Sequence, residues 1–291
     1  MLICIITHMN KLKFYKYRLW QLYHFPYYAF LSNRFVQSYL NRKNIGLYKK
    51  NKNNLDALQN EIVEKLEKDG IAITHIDKLL PESGVFEPML EESRELIAKS
   101  LSAHGKKVFL REFLTRDFLL DETSRESSFG VFALHNRVMG IVNAYFQMYS
   151  KLVFLIGNLA VPVPVGEVPR DSQRWHRDPG FYKICKVFLY LNDVDKETGP
   201  FTYLAGSQPG GRWGRAAPHR FFGKGSYYPP DGKVESEIKK IGVPSEDLKI
   251  CTGEAGTVIF CDTMGLHKGG YATKKERVMT TAFYKLDKNI K

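Results

Sequence analysis

The chain has 291 residues, which is enough for one large domain with a sizeable core. Hydrophobic residues make up 44% and charged residues 25% of it, an ordinary globular composition that excludes collagen-like, fully disordered and disulfide-scaffold proteins. The net charge of +12 is unevenly distributed, because residues 1–60 contain ten Lys or Arg and only one acid, Asp56. That segment carries +9, so the rest of the chain carries +3 and is nearly neutral.

The cysteines and the hydropathy pattern narrow the cellular setting. The four cysteines, at positions 4, 185, 251 and 261, include no Cys-x-x-Cys pair. This spacing argues against a disulfide framework or a cysteine-based zinc site, and it favours a reducing, cytoplasmic compartment. No apolar run reaches the roughly 18–20 residues that a transmembrane helix requires.

Residues 1–54 are predicted to form a basic aromatic N-terminal extension. Twelve aromatic residues lie between Phe14 and Tyr48, interleaved with Lys and Arg. One interpretation is a helical extension that packs its aromatic face on the main domain. A second is peripheral contact with an anionic membrane surface through residues 10–54, with the rings at the level of the headgroups. Nucleic acid binding by base stacking is a third interpretation and the least favoured.

Residues 55–150 are predicted to be mainly helical. Leu55, Leu58, Ile62 and Leu66 recur at helical spacing, and Asp69-Gly70 ends that helix. A short strand follows, and two further amphipathic helices come after it; the predicted ranges are 71–74 for the strand and 87–101 and 128–150 for the helices. The apolar stripes of these helices indicate core packing.

The pattern changes after residue 150 to short β-rich segments separated by Gly and Pro. The strands are predicted at 151–158, 186–191, 201–204, 257–260 and 277–284. Many short strands after a run of helices indicate an α+β fold. We therefore predict one domain over 55–291, with helices mainly in 55–150 and a double-sheet barrel mainly in 151–286.

Three residues are candidate ligands of one metal ion. His176 and Asp178 lie two positions apart just before a predicted strand, and His267 follows the strand 257–260 and its turn. Two histidines and one carboxylate form the facial triad of non-haem Fe(II) oxygenases, which leaves three positions on the metal open. Strands that are distant in sequence meet inside a barrel, so these residues can converge.

Arg277 opens the last predicted strand and is a candidate anion-binding residue. It shares one face of that strand with Met279, Thr281 and Phe283 by the period-2 rule. If that face points inward, the guanidinium lies among apolar walls and requires an anion. A dicarboxylate held by a bidentate fork would supply one.

These motifs together resemble the phytanoyl-CoA dioxygenase family. The similar segments span roughly residues 150–285, and 69–73 resembles the N-terminal strand of that family; the motifs are His176-Arg177-Asp178, Phe188 to Val194, Thr198 to Phe201, Gly206-Ser207, Gly256 to Phe260, His267 and Arg277. The resemblance implies a double-stranded β-helix (jelly-roll) core flanked by N-terminal helices, with Fe(II), the cosubstrate 2-oxoglutarate and O2.

The resemblance also implies a role for each matched residue. His176, Asp178 and His267 would bind iron, Arg277 would hold the distal carboxylate of 2-oxoglutarate, and Asn158 is a further candidate contact of the cosubstrate. The chain departs from the pattern at Gly269, where such enzymes often have a hydroxyl residue. Arg177 is a bulky cation between two metal ligands, and we interpret it as a solvent-facing spacer or the first contact of an acidic substrate.

Residues 208–231 are predicted to be an insert at the mouth of the barrel. Its basic surplus, which includes Arg212, indicates an anionic substrate, and Arg212 and Trp213 are candidate substrate contacts beside Arg177. Lys186 could face the site from its strand, but exposure at the start of that strand is expected. The predicted function is hydroxylation of a small molecule, with no obligate protein partner. The alternatives are a cupin-like barrel with non-oxidative metal chemistry, which would not require Arg277, and a non-enzymatic membrane-associated protein.

Overall fold

The computed structural model describes residues 30–31, 33–52, 54–103, 115–119, 127–164, 166–167, 171–180, 182–214 and 232–287. Residues 1–29, 32 and 53 of the basic aromatic extension and 215–231 of the predicted insert therefore lie outside the described residues. None of the described helices combines the length and the hydropathy needed to cross a membrane.

Eight described helices lie mostly before the main strands. They are α1 (Arg34–Leu40), α2 (Arg42–Lys50), α3 (Ala57–Asp69), α4 (Ile76–Leu79), α5 (Phe86–Ala103), α6 (Ser128–Ala133), α7 (Asn136–Phe146) and α8 (Lys233–Lys240). Helix α3 shows how local sequence sets such bounds. Asp56 accepts a hydrogen bond from the Gln59 backbone, and the Gln59 side chain accepts one from the Asp56 backbone, which forms a capping box. Gly70 ends the helix with a φ of 73°, a conformation that glycine adopts without steric cost.

Nine described strands form two antiparallel sheets. They are β1 (Ile71–His75), β2 (Thr115–Leu119), β3 (Ser150–Ala160), β4 (Cys185–Tyr190), β5 (Phe201–Leu204), β6 (Leu248–Cys251), β7 (Thr257–Cys261), β8 (His267–Lys268) and β9 (Arg277–Leu286). The large sheet has the order β1-β7-β4-β9-β3-β2, and the small sheet has the order β6-β5-β8. The predicted α+β class is confirmed, and each predicted strand overlaps an observed one.

The two faces of the large sheet belong to two different cores. In β4, Val187 and Leu189 join the apolar cluster that includes the helices, whereas Phe188 and Tyr190 join a second cluster with Phe201 of β5. The alternation follows the period of two along a strand. The second cluster therefore lies between the two sheets, and the candidate ligands border it.

The predicted helix over 128–150 is wrong as a single helix, because the structure divides it into α6 and α7. The break falls at Leu134 and His135. The His135 ring accepts a hydrogen bond from the Arg137 backbone at 3.2 Å, so His135 caps α7. An apolar stripe continues across such a break, which is why periodicity alone did not reveal it.

Helix α2 is anchored on the domain by a buried amide. Asn44 donates from Nδ2 to the carbonyl oxygens of Tyr149 at 2.9 Å and Asp287 at 3.0 Å. It also accepts from the Tyr149 backbone at 2.7 Å, and the Tyr48 ring meets the Tyr149 ring edge-on with centroids 5.6 Å apart. Helix α2 therefore packs on the main domain, which is one of the three interpretations that the sequence allowed for the extension.

Candidate metal centre

The two candidate histidine ligands are brought together by backbone pairing. His267 opens β8, which pairs with β5 in the small sheet. His176 forms an isolated antiparallel bridge with His267, with N–O distances of 2.9 and 3.0 Å in the two directions. Their ring centroids are 4.1 Å apart. A residue 91 positions upstream is thus held beside His267 by a pair of main-chain hydrogen bonds.

Each histidine ring is oriented by a carbonyl two residues earlier in the chain. His176 Nδ1 lies 2.8 Å from the Arg174 oxygen, and His267 Nδ1 lies 3.0 Å from the Gly265 oxygen. A carbonyl only accepts, so Nδ1 carries the proton in both rings, and Nε2 is the atom with a lone pair for a metal. This support fixes the tautomer that a metal-binding histidine needs.

Burial keeps both histidines neutral at neutral pH. The pKa of His176 is lowered mainly by burial, and the pKa of His267 is lowered further by burial and by the neighbouring His176. A neutral imidazole is the form that binds a metal ion. The electrostatic environment therefore favours the metal-binding state of both rings.

Asp178 supplies the carboxylate of the cluster. Its backbone N–H donates to the Thr263 oxygen at 2.8 Å, and Lys186 Nζ lies 2.6 Å from its Oδ2. Burial acts to raise the pKa of Asp178, but the positive charge of Lys186, the neighbouring His267 and the hydrogen bonds from Lys186 and Thr263 together hold that pKa below its usual value. Asp178 is therefore ionised at neutral pH, as a metal ligand must be.

A short loop, 262–265, supports two of the candidate ligands, Asp178 and His267. Its Thr263 oxygen holds the Asp178 backbone and its Gly265 oxygen orients His267. The loop is held in turn by Asp262, whose carboxylate accepts from the Tyr145 hydroxyl at 2.5 Å and from the Met264 backbone at 3.0 Å. Burial raises the pKa of Asp262 to about 6.

The three side chains fit a metal ion. One candidate ligand atom from each of His176, Asp178 and His267 lies within 4.8 Å of the other two. An ion with bonds of about 2.1 Å holds adjacent ligand atoms about 3 Å apart, so small side-chain rotations would close the site. Two histidines and one carboxylate on one side of an ion are the donor set of non-haem Fe(II) sites. Among the described residues, this is the group with such convergence.

Arg277 fits an anion. Its side chain is 2% exposed, and it lies on the inter-sheet face of β9, two residues before Met279 of the inter-sheet core. It donates to the Gly199 oxygen, but its Nε has no hydrogen-bond partner among the described residues. A buried donor without a partner is costly, and a bound carboxylate would satisfy it.

Asn158 lies on the same face as Arg277. It is the β3 partner of Met279 in β9, and directly paired residues share a face of the sheet. The Thr281 hydroxyl lies 3.4 Å from its Oδ1. This position, near the start of β9, is compatible with the predicted contact with the cosubstrate.

The expectation for Arg177 as a solvent-facing spacer or first substrate contact is wrong. Its side chain is 4% exposed, and Nη1 donates to the carbonyl oxygens of Ser207 at 2.5 Å and Met264 at 2.7 Å. Residue 177 alternates with the ligands on either side of it and so points away from the metal position. Arg177 instead ties the segment that carries His176 and Asp178 to the loop at 262–265.

Arg212 and Trp213 are held by carboxylates of the protein. Arg212 donates to Asp247 at 3.0 and 2.5 Å and to Asp69 at 2.6 Å. The Trp213 indole N–H also donates to Asp247, at 2.6 Å. These contacts anchor the start of the insert to α3 and to the turn before β6. They occupy the polar groups of both side chains within the protein, and the substrate contacts expected of Arg212 and Trp213 stay predictions.

Lys186 is the site residue that the sequence reasoning misplaced. It was expected to be exposed, but its side chain is 19% exposed and reaches Asp178. The signal was present in β4, because Lys186 shares the inter-sheet face with Phe188 and Tyr190 by the same alternation that assigned Arg277.

The chain is similar to several solved structures, one of which contains Fe3+ and alpha ketoglutarate. The epimerase SnoN, in complex with Fe3+, alpha ketoglutarate and nogalamycin RO, is 18% identical, with 80% of this chain and 88% of that chain covered and a TM-score of 0.55. AviO1 from Streptomyces viridochromogenes Tue57 is 16% identical, with 82% and 98% covered and a TM-score of 0.50. HygX from Streptomyces hygroscopicus, with nickel, 2-oxoglutarate and hygromycin B bound, is 18% identical, with 78% and 86% covered and a TM-score of 0.49.

A comparison with family models assigns the chain more directly. No curated protein sequence matches the chain. The model of the phytanoyl-CoA dioxygenase family matches residues 66–279, a range that includes His176, Asp178, His267 and Arg277 and covers well over half of the chain. The family predicted from the sequence motifs is confirmed: the chain belongs to the phytanoyl-CoA dioxygenase family, a family of non-haem iron, 2-oxoglutarate-dependent dioxygenases.

Proposed function

We propose that this protein is an Fe(II)- and 2-oxoglutarate-dependent dioxygenase that hydroxylates a small-molecule substrate. The observation that carries the proposal is the convergence of His176, Asp178 and His267, with their candidate ligand atoms within 4.8 Å of one another. The support of both Nδ1 atoms by carbonyls and the ionised state of Asp178 favour the same assignment. We also propose that the two facing sheets form a double-stranded β-helix.

Each residue of the site has a defined task. His176, Asp178 and His267 would hold Fe(II) on one face, which leaves positions for the cosubstrate and for O2. Arg277 would hold the distal carboxylate of 2-oxoglutarate through Nε and Nη, and Asn158 would contact the cosubstrate beside it. Bound Fe(II), with 2-oxoglutarate and O2, supplies an oxidant strong enough to hydroxylate an unactivated carbon.

The chain itself orients these groups and limits access of water. Phe201 packs against the His267 ring with centroids 5.7 Å apart, and it also packs against Phe188 of the large sheet at 4.7 Å. These rings close the inter-sheet side of the metal position. Exclusion of water there strengthens every charge interaction in the site.

A cupin-like barrel with non-oxidative metal chemistry is the competing function. It would use the same three ligands, but it would have no need of a buried arginine beside them. The Arg277 Nε, buried and without a partner in the described part of the chain, favours a site that receives a carboxylate. This residue separates the two functions.

The test is the formation of succinate from 2-oxoglutarate by the purified protein with Fe(II), O2 and ascorbate. We expect turnover that is slow without substrate and is lost in His176→Ala. Binding of 2-oxoglutarate, measured by calorimetry with Ni(II) in place of iron, is the independent readout. If the metal-loaded protein neither binds 2-oxoglutarate nor releases succinate, the proposed function is wrong.

We also propose that α1 makes peripheral contact with an anionic membrane. Phe35 is 87% exposed on α1, and Tyr39 and Leu40 are exposed near it. The outward side of α2 presents Arg42 and Lys43, so exposed rings lie next to basic side chains. This combination is typical of helices that rest on anionic lipid headgroups.

The membrane contact is tested by co-sedimentation with vesicles of phosphatidylcholine, with and without phosphatidylglycerol. We expect binding only to the anionic vesicles, and a loss of binding in Phe35→Ser. Ile250→Ser is the matched control, because Ile250 is 48% exposed on β6, away from α1. Equal binding by the two variants would contradict the assignment of α1. Point variants are preferable to a deletion, since removal of Asn44 would also disturb the domain.

A further inference from the structure

The inter-sheet face of β3 is less buried than that of β4. Along β3, Leu155 and Leu159 are buried, whereas Phe154, Ile156 and Asn158 between them are only half-buried. The core between the sheets takes residues from β1, β7, β4 and the start of β9, but none from β3. In the described part of the chain, the small sheet therefore covers the inter-sheet face of β3 less fully than that of β4, whereas Phe283 near the end of β9 is buried.

Phe154, Phe283 and Lys186 lie together on this face, and Lys285 Nζ also lies over the Phe283 ring, 4.8 Å from its centre. The Phe154 and Phe283 rings have centroids 4.8 Å apart. Lys186 is the register partner of Phe283, and its Nζ lies 5.6 Å from the centre of that ring. The same Nζ is 2.6 Å from Asp178 Oδ2. An apolar wall and an ammonium group thus border the metal position.

This group lies at the opposite end of β9 from Arg277, and Asp178 lies at the Lys186 end. Residues 277 and 283 are six positions apart on β9, which corresponds to about 20 Å along a strand. The cosubstrate extends from the metal towards Arg277 under the proposed function. The Phe283 end of the strand is therefore the side on which a second molecule can approach the metal.

The charge of Lys186 is balanced only while no metal is bound. Lys186 and Asp178 form a neutral pair in close contact. A divalent ion on Asp178 raises the local charge to +2, and the metal-bound carboxylate of 2-oxoglutarate lowers it to +1. The distal carboxylate is matched by Arg277 and does not change this balance. One positive charge in a partly buried site is left, and such a charge favours the binding of one anionic group.

We propose that Lys186 binds an anionic group of the substrate and that Phe154 and Phe283 receive its apolar body. The substrate class is thus an apolar molecule with a single acidic group, such as an aryl- or alkyl-carboxylic acid. The inference rests on the proposed function, because the charge balance assumes the metal and the cosubstrate. The residues proposed to bind the substrate are different from those proposed to bind the metal and the cosubstrate.

The experiment compares two probes with the same phenylbutyl body and different end groups, the anion 4-phenylbutyrate and the neutral 4-phenylbutan-1-ol. Their affinities are measured by calorimetry on the full chain loaded with Ni(II) and 2-oxoglutarate, so that no turnover occurs. We expect the acid to bind about tenfold or more tightly than the alcohol. In the metal-free protein, where Asp178 neutralises Lys186, we expect the preference to disappear.

Variants assign the preference to Lys186. Lys186→Met should remove the preference for the acid, and Lys186→Arg should retain it, which separates loss of charge from loss of fold. Lys268→Met is the matched control, because Lys268 follows His267 in β8 and lies over the Trp175 ring at 5.0 Å. It points away from the site and should leave the preference unchanged.

The outcomes distinguish failure of this inference from failure of the proposed function. If 2-oxoglutarate does not bind, the proposed function fails, and this inference fails with it. If 2-oxoglutarate binds but the alcohol binds as well as the acid, or neither probe binds, only the substrate class is wrong. If Lys186→Met weakens 2-oxoglutarate as much as 4-phenylbutyrate, Lys186 belongs to the cosubstrate site and the inference is overturned.

Discussion

Arg212 and Arg277 are treated in opposite ways by the protein. Arg212 is 37% exposed on its side chain, yet its guanidinium is paired with both Asp247 and Asp69. Arg277 is 2% exposed, yet it has one carbonyl contact and an Nε without a partner among the described residues. The hydrogen-bond donors of the solvent-accessible Arg212 thus have carboxylate partners, whereas the buried Arg277 keeps a donor without a partner among the described residues.

The contrast separates a region built for stability from a region built for binding. Buried charges in proteins are normally paired, because burying a charge without a partner is strongly destabilising. The anchor formed by Arg212, Asp69, Asp247 and Trp213 follows this rule and holds an insert in place. Arg277 beside the metal centre does not follow this rule, because its buried guanidinium lacks a charged partner. A bound carboxylate would supply that partner.

The largest expected difference between the two regions is in metal affinity. His176→Ala removes one of three ligands and should weaken binding of Co(II) or Fe(II) by more than about 100-fold. Asp247→Asn changes a carboxylate of the anchor and should leave metal affinity within about twofold. Calorimetric titration of both variants is the measurement. A similar loss in the two would mean that the ion binds elsewhere.

The second difference is in binding of the cosubstrate. Arg277→Met should weaken 2-oxoglutarate by about 100-fold, because a buried carboxylate would lose its charged partner. Arg277→Lys keeps the charge but not the planar fork, so it should show an intermediate loss. Arg212→Met should have no effect on this affinity. Unchanged binding in Arg277→Met would show that the carboxylate is held by another residue.

Stability without the cosubstrate should follow the reverse order. Arg212→Met breaks charged hydrogen bonds to Asp247, which would cost about 1–2 kcal/mol after allowance for solvent screening. Arg277→Met removes a buried charge that lacks a full set of partners and should change the free energy of unfolding by less than about 1 kcal/mol. Urea unfolding of both variants in metal-free buffer gives the comparison. A larger loss in Arg277→Met would mean that its native contacts satisfy it.

The main strands and the central residues of the candidate site could be predicted from the sequence, because the patterns that indicate them are local. Alternation of apolar residues and turn residues predicted the main strands, and the His-x-Asp spacing with the last-strand arginine predicted the core of the site. Strand β2 was not predicted. The short strands β6 and β8 were not predicted either, and the two residues of β8 give no periodicity. They exist through pairing with β5, which is a long-range interaction.

The misplaced residues share one physical cause. The roles of Arg177, Arg212 and Lys186 depend on which partner the fold brings within hydrogen-bonding distance, and charge alone does not reveal a partner. Arg177 meets two backbone carbonyls, and Arg212 meets two carboxylates distant in sequence. For Lys186, alternation with Phe188 predicted the correct face, but the usual exposure of lysine favoured the opposite conclusion.

The smallest expected difference is in pH dependence, and it compares the carboxylates of the two regions. Burial raises the pKa of Asp262 to about 6, whereas Asp247 has its pKa lowered mainly by the hydrogen bond from Arg212. A raised pKa means that protonation favours the folded state. The contribution of Asp262 is therefore fully present below its unfolded pKa of about 4 and is lost as the pH rises through 6.

The free energy of unfolding of wild-type protein should fall by about 1 kcal/mol between pH 5 and 6.5 relative to that of Asp262→Asn. Asp247→Asn is the control with the opposite sign, because a lowered pKa gives a contribution that is lost only below pH about 4. Its difference from wild type should be constant over the same range. Because Asp262 holds the loop that supports Asp178 and His267, a flat profile would mean that its charge is compensated within that loop. A free energy of unfolding that falls with pH as expected would show that the loop below the metal centre is held by a carboxylate with a raised pKa.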